Sequence, residues 1–161
     1  MNEKTKILNS DLKVTVKELK KILENLEDDT LIEFTGTDVE YYRREAENIL
    51  FDIGLSADNK GYHAIVEAIC LISQNETYCY QFTKKVYPYI ADKFGSTYHG
   101  VQSAISIAIN KVCEHGNKDE LRKYLGGIYN PHRGNPRMAE FICTLYQYIK
   151  CRKEKENAKK S

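Results

Sequence analysis

The stretch Ile90-Ala-Asp-Lys-Phe-Gly-Ser-Thr-Tyr-His-Gly-Val-Gln-Ser-Ala-Ile105 restricts the fold more than any other part of this chain. Two apolar helical patterns meet there through a gap of about three or four residues, the spacing of a helix-turn-helix. Such a unit needs a small residue where its helices touch, and Ala91 supplies it. It needs a residue that tolerates positive φ in the turn, and Gly95 supplies that four positions on. Ile90, Phe94 and Val101 are the apolar anchors expected to flank the turn. Val101, Ala104, Ile105, Ala108 and Ile109 form the inward stripe of the second helix, and Ser96 or Thr97 caps it.

Burial of that stripe turns Tyr98, His99, Gln102, Ser103 and Ser106 outward, toward a major groove if DNA is bound. Gln pairs bidentately with adenine, and Ser accepts several bases. Lys84, Lys85 and Lys93 fall on the helix that would cross the phosphate backbone. Thr97 and Arg133 are further candidate phosphate contacts, and Lys111 and Arg137 are supporting cations. An ordinary helical hairpin with a glycine turn fits the same pattern, because helix pairs are common.

The rest of the chain predicts a mainly α fold. Asp38 opens a helix with Val39, Tyr42, Ala46, Ile49, Leu50 and Ile53 on one face and Gly54 as its stop. Residues 60–73 carry Ala64, Ile65, Ala68, Ile69 and Ile72 at helical spacing. A third helix spans 81–94, with Pro88 near a kink or a helix start. The fourth covers 98–114 and the fifth 118–125. Residues 130–136 read as a loop, and a last helix over 137–150 places Met138, Phe141, Ile142, Leu145 and Ile149 inward. The reading is a six-helix bundle containing the helix-turn-helix. The organisation expected is a small N-terminal appendage over 1–37, a helix-turn-helix domain over 38–150 and a flexible basic tail over 151–161. In the appendage, Thr15 and Glu18 form a capping box for a helix carrying Val16, Leu19, Leu23 and Leu26, ended by Glu27-Asp28-Asp29. Leu31–Thr35 reads as a short strand before Gly36. Packing, dimerisation and partner contact are all open as its job.

Composition narrows the class. Hydrophobic residues make up 42% and charged residues 29%, which suits a globular domain with a core. No apolar run is long enough for a membrane span, and the polar N-terminus is no signal sequence, so no membrane association and a cytoplasmic location are expected. Net charge is +1, with eight basic against twelve acidic groups in residues 1–50 and five against two in residues 151–161. That asymmetry is compatible with nucleic acid without demanding it. The five cysteines are odd in number and widely spaced, which argues against a disulfide framework or zinc site. Cys70, Cys113 and Cys143 lie in apolar helical patterns and read as core thiols. No metal or cofactor is expected. His99 has no second ligand at metal spacing on its helix. A Gly-rich phosphate loop, a nucleophile elbow and a His-Glu-x-x-His motif are all absent, so an enzyme is not expected. His115 and Cys113, two apart on one helix, face different ways.

The segment from about Ala46 to Ile149 also resembles a known family. Its blocks are Ile53-Gly-Leu with Lys60-Gly-Tyr, Glu67-Ala-Ile69, Thr83-Lys-Lys-Val-Tyr-Pro88 with Ile90-Ala-x-Lys-Phe94, Ala104-Ile105 with Ala108-Ile109, His115-Gly-Asn117, and Pro136 followed by Glu140-Phe-Ile142. In order and spacing they resemble the C-terminal effector domain of the sporulation stage-zero protein A family of response regulators. The resemblance implies a six-helix bundle that binds double-stranded promoter DNA as tandem copies or a homodimer, and that touches the sigma subunit of RNA polymerase.

Two departures qualify it. Residues 1–40 are too short for the family's phosphoacceptor receiver domain, so aspartyl phosphorylation is not expected. Where the family's recognition helix carries a Glu and two Arg, this chain has Gln102, Ser103 and Ser106, and Gly100 replaces a basic residue. The commonest guanine contact is thereby lost, with some phosphate neutralisation. The expectation is a sequence-specific transcriptional regulator with altered operator preference. The alternative is a protein-interaction module that keeps the fold and binds DNA weakly or not at all.

Overall fold

The computed structural model describes residues 5–9, 15–25, 31–35 and 38–160. The chain forms two compact units, Met1–Glu40 and Tyr41–Ser161.

In the first unit, β1 (Thr5–Asn9) and β2 (Leu31–Thr35) pair in parallel, with Thr5 opposite Leu31 and Asn9 opposite Thr35. Parallel neighbours need a crossover, and α1 (Val16–Glu24) lies in that connection. Its predicted capping box is present: Glu18 N donates to Thr15 Oγ1 at 3.2 Å, and Thr15 N donates to Glu18 Oε2 at 2.8 Å. The strand over 31–35 matches the pattern; its partner β1 was not foreseen. The expected apolar stripe of α1 is not a core, for Val16 and Leu23 are exposed and Leu19 is half-buried. Leu26, the acidic stop at 27–29 and Gly36 lie outside the described residues.

The second unit is the expected six-helix bundle. Its helices are α2 (Asp38–Ile53), α3 (Lys60–Gln74), α4 (Tyr87–Lys93), α5 (Tyr98–His115), α6 (Lys118–Leu125) and α7 (Met138–Lys160). Helix α3 is the axle, buried continuously from Ala64 to Ile72, as an apolar surface all round requires. Gly61 allows α5 to lie against its first turn. A Cβ there would collide with the Ala104 carbonyl oxygen and approach Ala108 Cβ to 2.5 Å. Phe141, Ile142, Leu145 and Ile149 of α7 close the core, as their spacing predicted, while Met138 is half-buried.

Three differences from the sequence reading have physical causes. Residues 76–80, Glu76–Tyr80, form a 3-10 turn between α3 and the helix-turn-helix. The helix expected over 81–94 begins as a wide π-turn, Phe82–Val86, before regular α4. Pro88 sits in the first turn of α4 and has no N–H for a backbone bond. Finally, residues 151–160 do not fray. Helix α7 runs on to Lys160 because its last turns have partners: Arg152 reaches Glu45 Oε2 at 3.2 Å, and Tyr41 Oη donates to Glu156 Oε2 at 3.0 Å. Among the described residues, no helix is long and apolar enough to cross a membrane.

Candidate nucleic-acid interface

The entry to the interface is the π-turn. Gln81 O accepts from both Lys85 N at 2.8 Å and Val86 N at 3.4 Å. Phe82 and Val86 point inward, which leaves Thr83, Lys84 and Lys85 exposed.

The turn itself is closed by two backbone bonds. Ser96 N donates to Ala91 O at 2.8 Å, and Gly95 N donates to Asp92 O at 3.3 Å. This is the nested pair of a Schellman cap, and it places Gly95 at φ +59. The chain then needs an N-cap, and Thr97 provides it: its Oγ1 accepts from Gly100 N at 3.0 Å. Ile90 and Val101 are buried as expected, with Ala91 between the helices. Phe94 is not an anchor. It is 48% exposed because it is the C-cap of α4 and borders an open hollow of about 400 Å³ shared with Lys60, His63, Ile90 and Val101.

The inward stripe of α5 is buried at Val101, Ile105, Ala108 and Ile109 and half-buried at Ala104. On the other side, His99 and Ser103 are exposed, and Tyr98, Gln102 and Ser106 are half-buried. Tyr98 stands edge-on to Tyr87, with centroids 5.5 Å apart. Gln102 Nε2 donates to Tyr98 Oη at 3.3 Å, which orients its amide. One residue on this face was missed. Ile107 is 62% exposed and shares a surface hollow with Gln102, Ser103, Ser106 and Met138. The signal was available, for Ile107 is an apolar residue outside the inward stripe.

The cations divide into two kinds. Lys84, Lys85, Arg133 and Arg137 are exposed, as is Lys111 on α5. The loop bearing Arg133 is tied to α5 through Asn135 Nδ2, which donates to Asn110 Oδ1 at 2.6 Å. Lys93 is different. Its Nζ lies 2.7 Å from Oε2 of Glu67, a 7% exposed carboxylate on α3 whose Oε1 binds Arg43 at 2.6 Å. Burial opposes ionisation of Glu67, but the bonds from Arg43 and Lys93 outweigh it and hold the carboxyl below its ordinary range. The Glu67 bond correspondingly raises Lys93. Lys93 therefore fastens α4 to the core. Among the described residues, no group of three or more His, Cys, Asp or Glu side chains could hold a metal ion.

A Schellman-closed turn, a Thr-capped second helix and a polar outer face define a helix-turn-helix domain. The family model described as sporulation initiation factor Spo0A C terminal matches residues 46–149, which run from α2 into α7. The chain belongs to that family, a family of DNA-binding effector domains in transcription regulation.

Proposed function

We propose that this domain is a sequence-specific transcriptional regulator that inserts α5 into the major groove of double-stranded DNA. The observation that carries the reading is the turn: Ser96 N to Ala91 O, and Gly100 N to Thr97 Oγ1, hold α5 at a fixed angle with its polar face outward. Tyr98, His99, Gln102, Ser103 and Ser106 are the proposed base-facing set. Lys84, Lys85, Thr97 and Arg133 are the proposed phosphate contacts. Lys93 leaves that set because Glu67 occupies it. The operator read by Gln102, Ser103 and Ser106 differs from the one read by the family's Glu and two Arg, since polar neutral side chains present another donor and acceptor pattern. Binding as a homodimer or in tandem, contact with the sigma subunit and action in the cytoplasm are proposed on the family ground. Regulation through DNA and partners, without phosphorelay input, is part of the proposal.

A second reading has its own support. From Tyr98 to Ile109 there is no Lys, Arg, Asp or Glu, and Ile107 stands exposed in that stretch. Such a face also suits a protein partner. Selection from a random pool of duplex DNA at low salt separates the two. Enrichment of one motif supports the regulator. Enrichment of none, with the fold intact, moves the assignment to the interaction module.

A further inference from the structure

Two of the five thiols face one another across a seam that neither reading uses. The 3-10 turn runs beside α7, and Glu76 fastens its start: Tyr146 Oη donates to Glu76 Oε1 at 2.7 Å, and Lys150 pairs with the same oxygen. Cys79 comes three residues after Glu76, and Cys143 comes three residues before Tyr146. The two elements therefore bring these cysteines together. Cys143 Sγ donates to the Cys79 carbonyl oxygen at 3.9 Å.

Neither thiol is a sealed core group. Both are half-buried, and both line an open surface hollow with Tyr80, Glu140 and Thr144. Their closeness separates their chemistry. The neighbouring Cys143 thiol holds Cys79 below the ordinary thiol range, with burial opposing. Cys143 is pushed up by the neighbouring Cys79 thiol and by burial. A thiolate is the nucleophile in thiol oxidation, so the pair has an attacking and a resolving member. The 3-10 turn has poorer hydrogen-bond geometry than an α-helix, and Glu76 ties its start to α7.

We propose that Cys79 and Cys143 form a reversible disulfide, with Cys79 as the thiol that reacts with a hydroperoxide and Cys143 as the resolving thiol. In the first step, the Cys79 thiolate attacks the terminal peroxide oxygen. The O–O bond breaks, Cys79 becomes a sulfenic acid and the leaving alkoxide takes a proton. In the second step, Cys143 sulfur attacks Cys79 sulfur, the S–O bond breaks and water leaves with the Cys143 proton. Sulfur is oxidised by two electrons and the peroxide is reduced by two. A dithiol reductant reverses the link by exchange. Paired redox-sensing cysteines of this kind are a recognised exception to the scarcity of disulfides in reducing compartments.

The test treats the reduced full chain with a slight excess of hydrogen peroxide, blocks free thiols by alkylation and maps peptides without reductant. The expected product is a Cys79–Cys143 cross-link, two hydrogens lighter and removed by dithiothreitol. Exposed Cys151 is the internal control and remains alkylated. In Cys143→Ser, dimedone should label Cys79 and the cross-link should vanish. Cys143→Ala serves if the serine variant loses helical content. Oxidation of Cys151 ahead of the pair, or absence of dimedone label at Cys79 in both folded variants, would overturn the proposal. The wild-type map decides the matter if neither variant folds.

Discussion

Lys93 Nζ and Glu67 Oε2 lie 2.7 Å apart, and the bond joins the first helix of the helix-turn-helix to the central helix of the bundle. Because Arg43 Nη1 holds the other Glu67 oxygen at 2.6 Å, one buried carboxylate ties α2, α3 and α4 together. Removing it strands two cations, and breaking a buried pair costs about 3–5 kcal/mol. The partners here are partly exposed, so Glu67→Ala should lose stability near the lower end of that range. The pH dependence follows from the direction of the shift. Glu67 is depressed below 4.5 in the folded chain, so its contribution is present above 4.5 and is lost as pH falls through the folded value. Lys93 is raised above 10.5, so its contribution is present below 10.5 and is lost as pH rises through the folded value. Denaturant titrations should show that Glu67→Gln is less stable at neutral pH and has a shallower acid limb. An unchanged acid limb would remove Glu67 from this role.

Gly61 should tolerate no side chain. The Ala104 carbonyl oxygen that a Cβ would meet is backbone and cannot rotate away. Gly61→Ala should destabilise by about 1–3 kcal/mol, the usual cost of overpacking, and the loss should appear as a lower thermal midpoint. A wild-type midpoint would mean that α3 and α5 can separate freely.

Gly95 makes the opposite case. A Cβ there meets nothing within 4 Å, but φ is +59. Gly95→Ala should cost about 1 kcal/mol from backbone strain alone. Gly95→Asn should cost less, because Asn enters this region more readily. Equal losses in both variants would show that packing, not φ, selects glycine.

Lys84 and Lys85 should report on DNA without reporting on stability. Each exposed phosphate contact removed lowers the slope of log affinity against log salt by about 1. Lys84→Ala and Lys85→Ala should therefore flatten the salt dependence and leave the denaturation midpoint near wild type. Lys93→Ala should do the reverse. A stability loss in the Lys84 variant together with an unchanged slope would contradict the assignment.

Ser103→Arg with Ser106→Arg should restore base-reading arginines at positions where the family carries them. A good bidentate pair discriminates by about 1–3 kcal/mol, so gel-shift affinity for the family's operator should rise several-fold or more. No gain would indicate that α5 presents these positions away from the groove.

The helix-turn-helix was legible because its determinants are local. Ala91, Gly95, Thr97 and Val101 act within one turn of their positions, and spacing alone finds them. The six-helix count was legible for the same reason. What escaped depends on residues far apart in the chain. Lys93 looked like a surface cation because Glu67 is 26 residues away. The last turns of α7 looked free because Glu45 and Tyr41 lie on the other side of the domain sequence. Phe94 looked like an anchor because hydrophobicity does not reveal that a C-cap ends a helix at an open hollow. Cys143 was expected in the core and is half-buried beside Cys79, on an element that the apolar pattern did not announce. The strand β1 carries only Ile7 and Leu8 as apolar residues, too short a pattern to mark a strand.

Helix α7 holds 23 residues. At about 1.5 Å per residue it is a rod roughly 35 Å long. Met138 at one end borders the outer face of α5, while Arg152 and Glu156 toward the other end grip α2. The rod acts as a beam bearing on both ends of the bundle. A tilt of about 5° pivoted where Arg152 and Glu156 grip α2 would carry Met138 through roughly 2 Å. Whatever loads the Glu45 end therefore has leverage on the surface offered by α5.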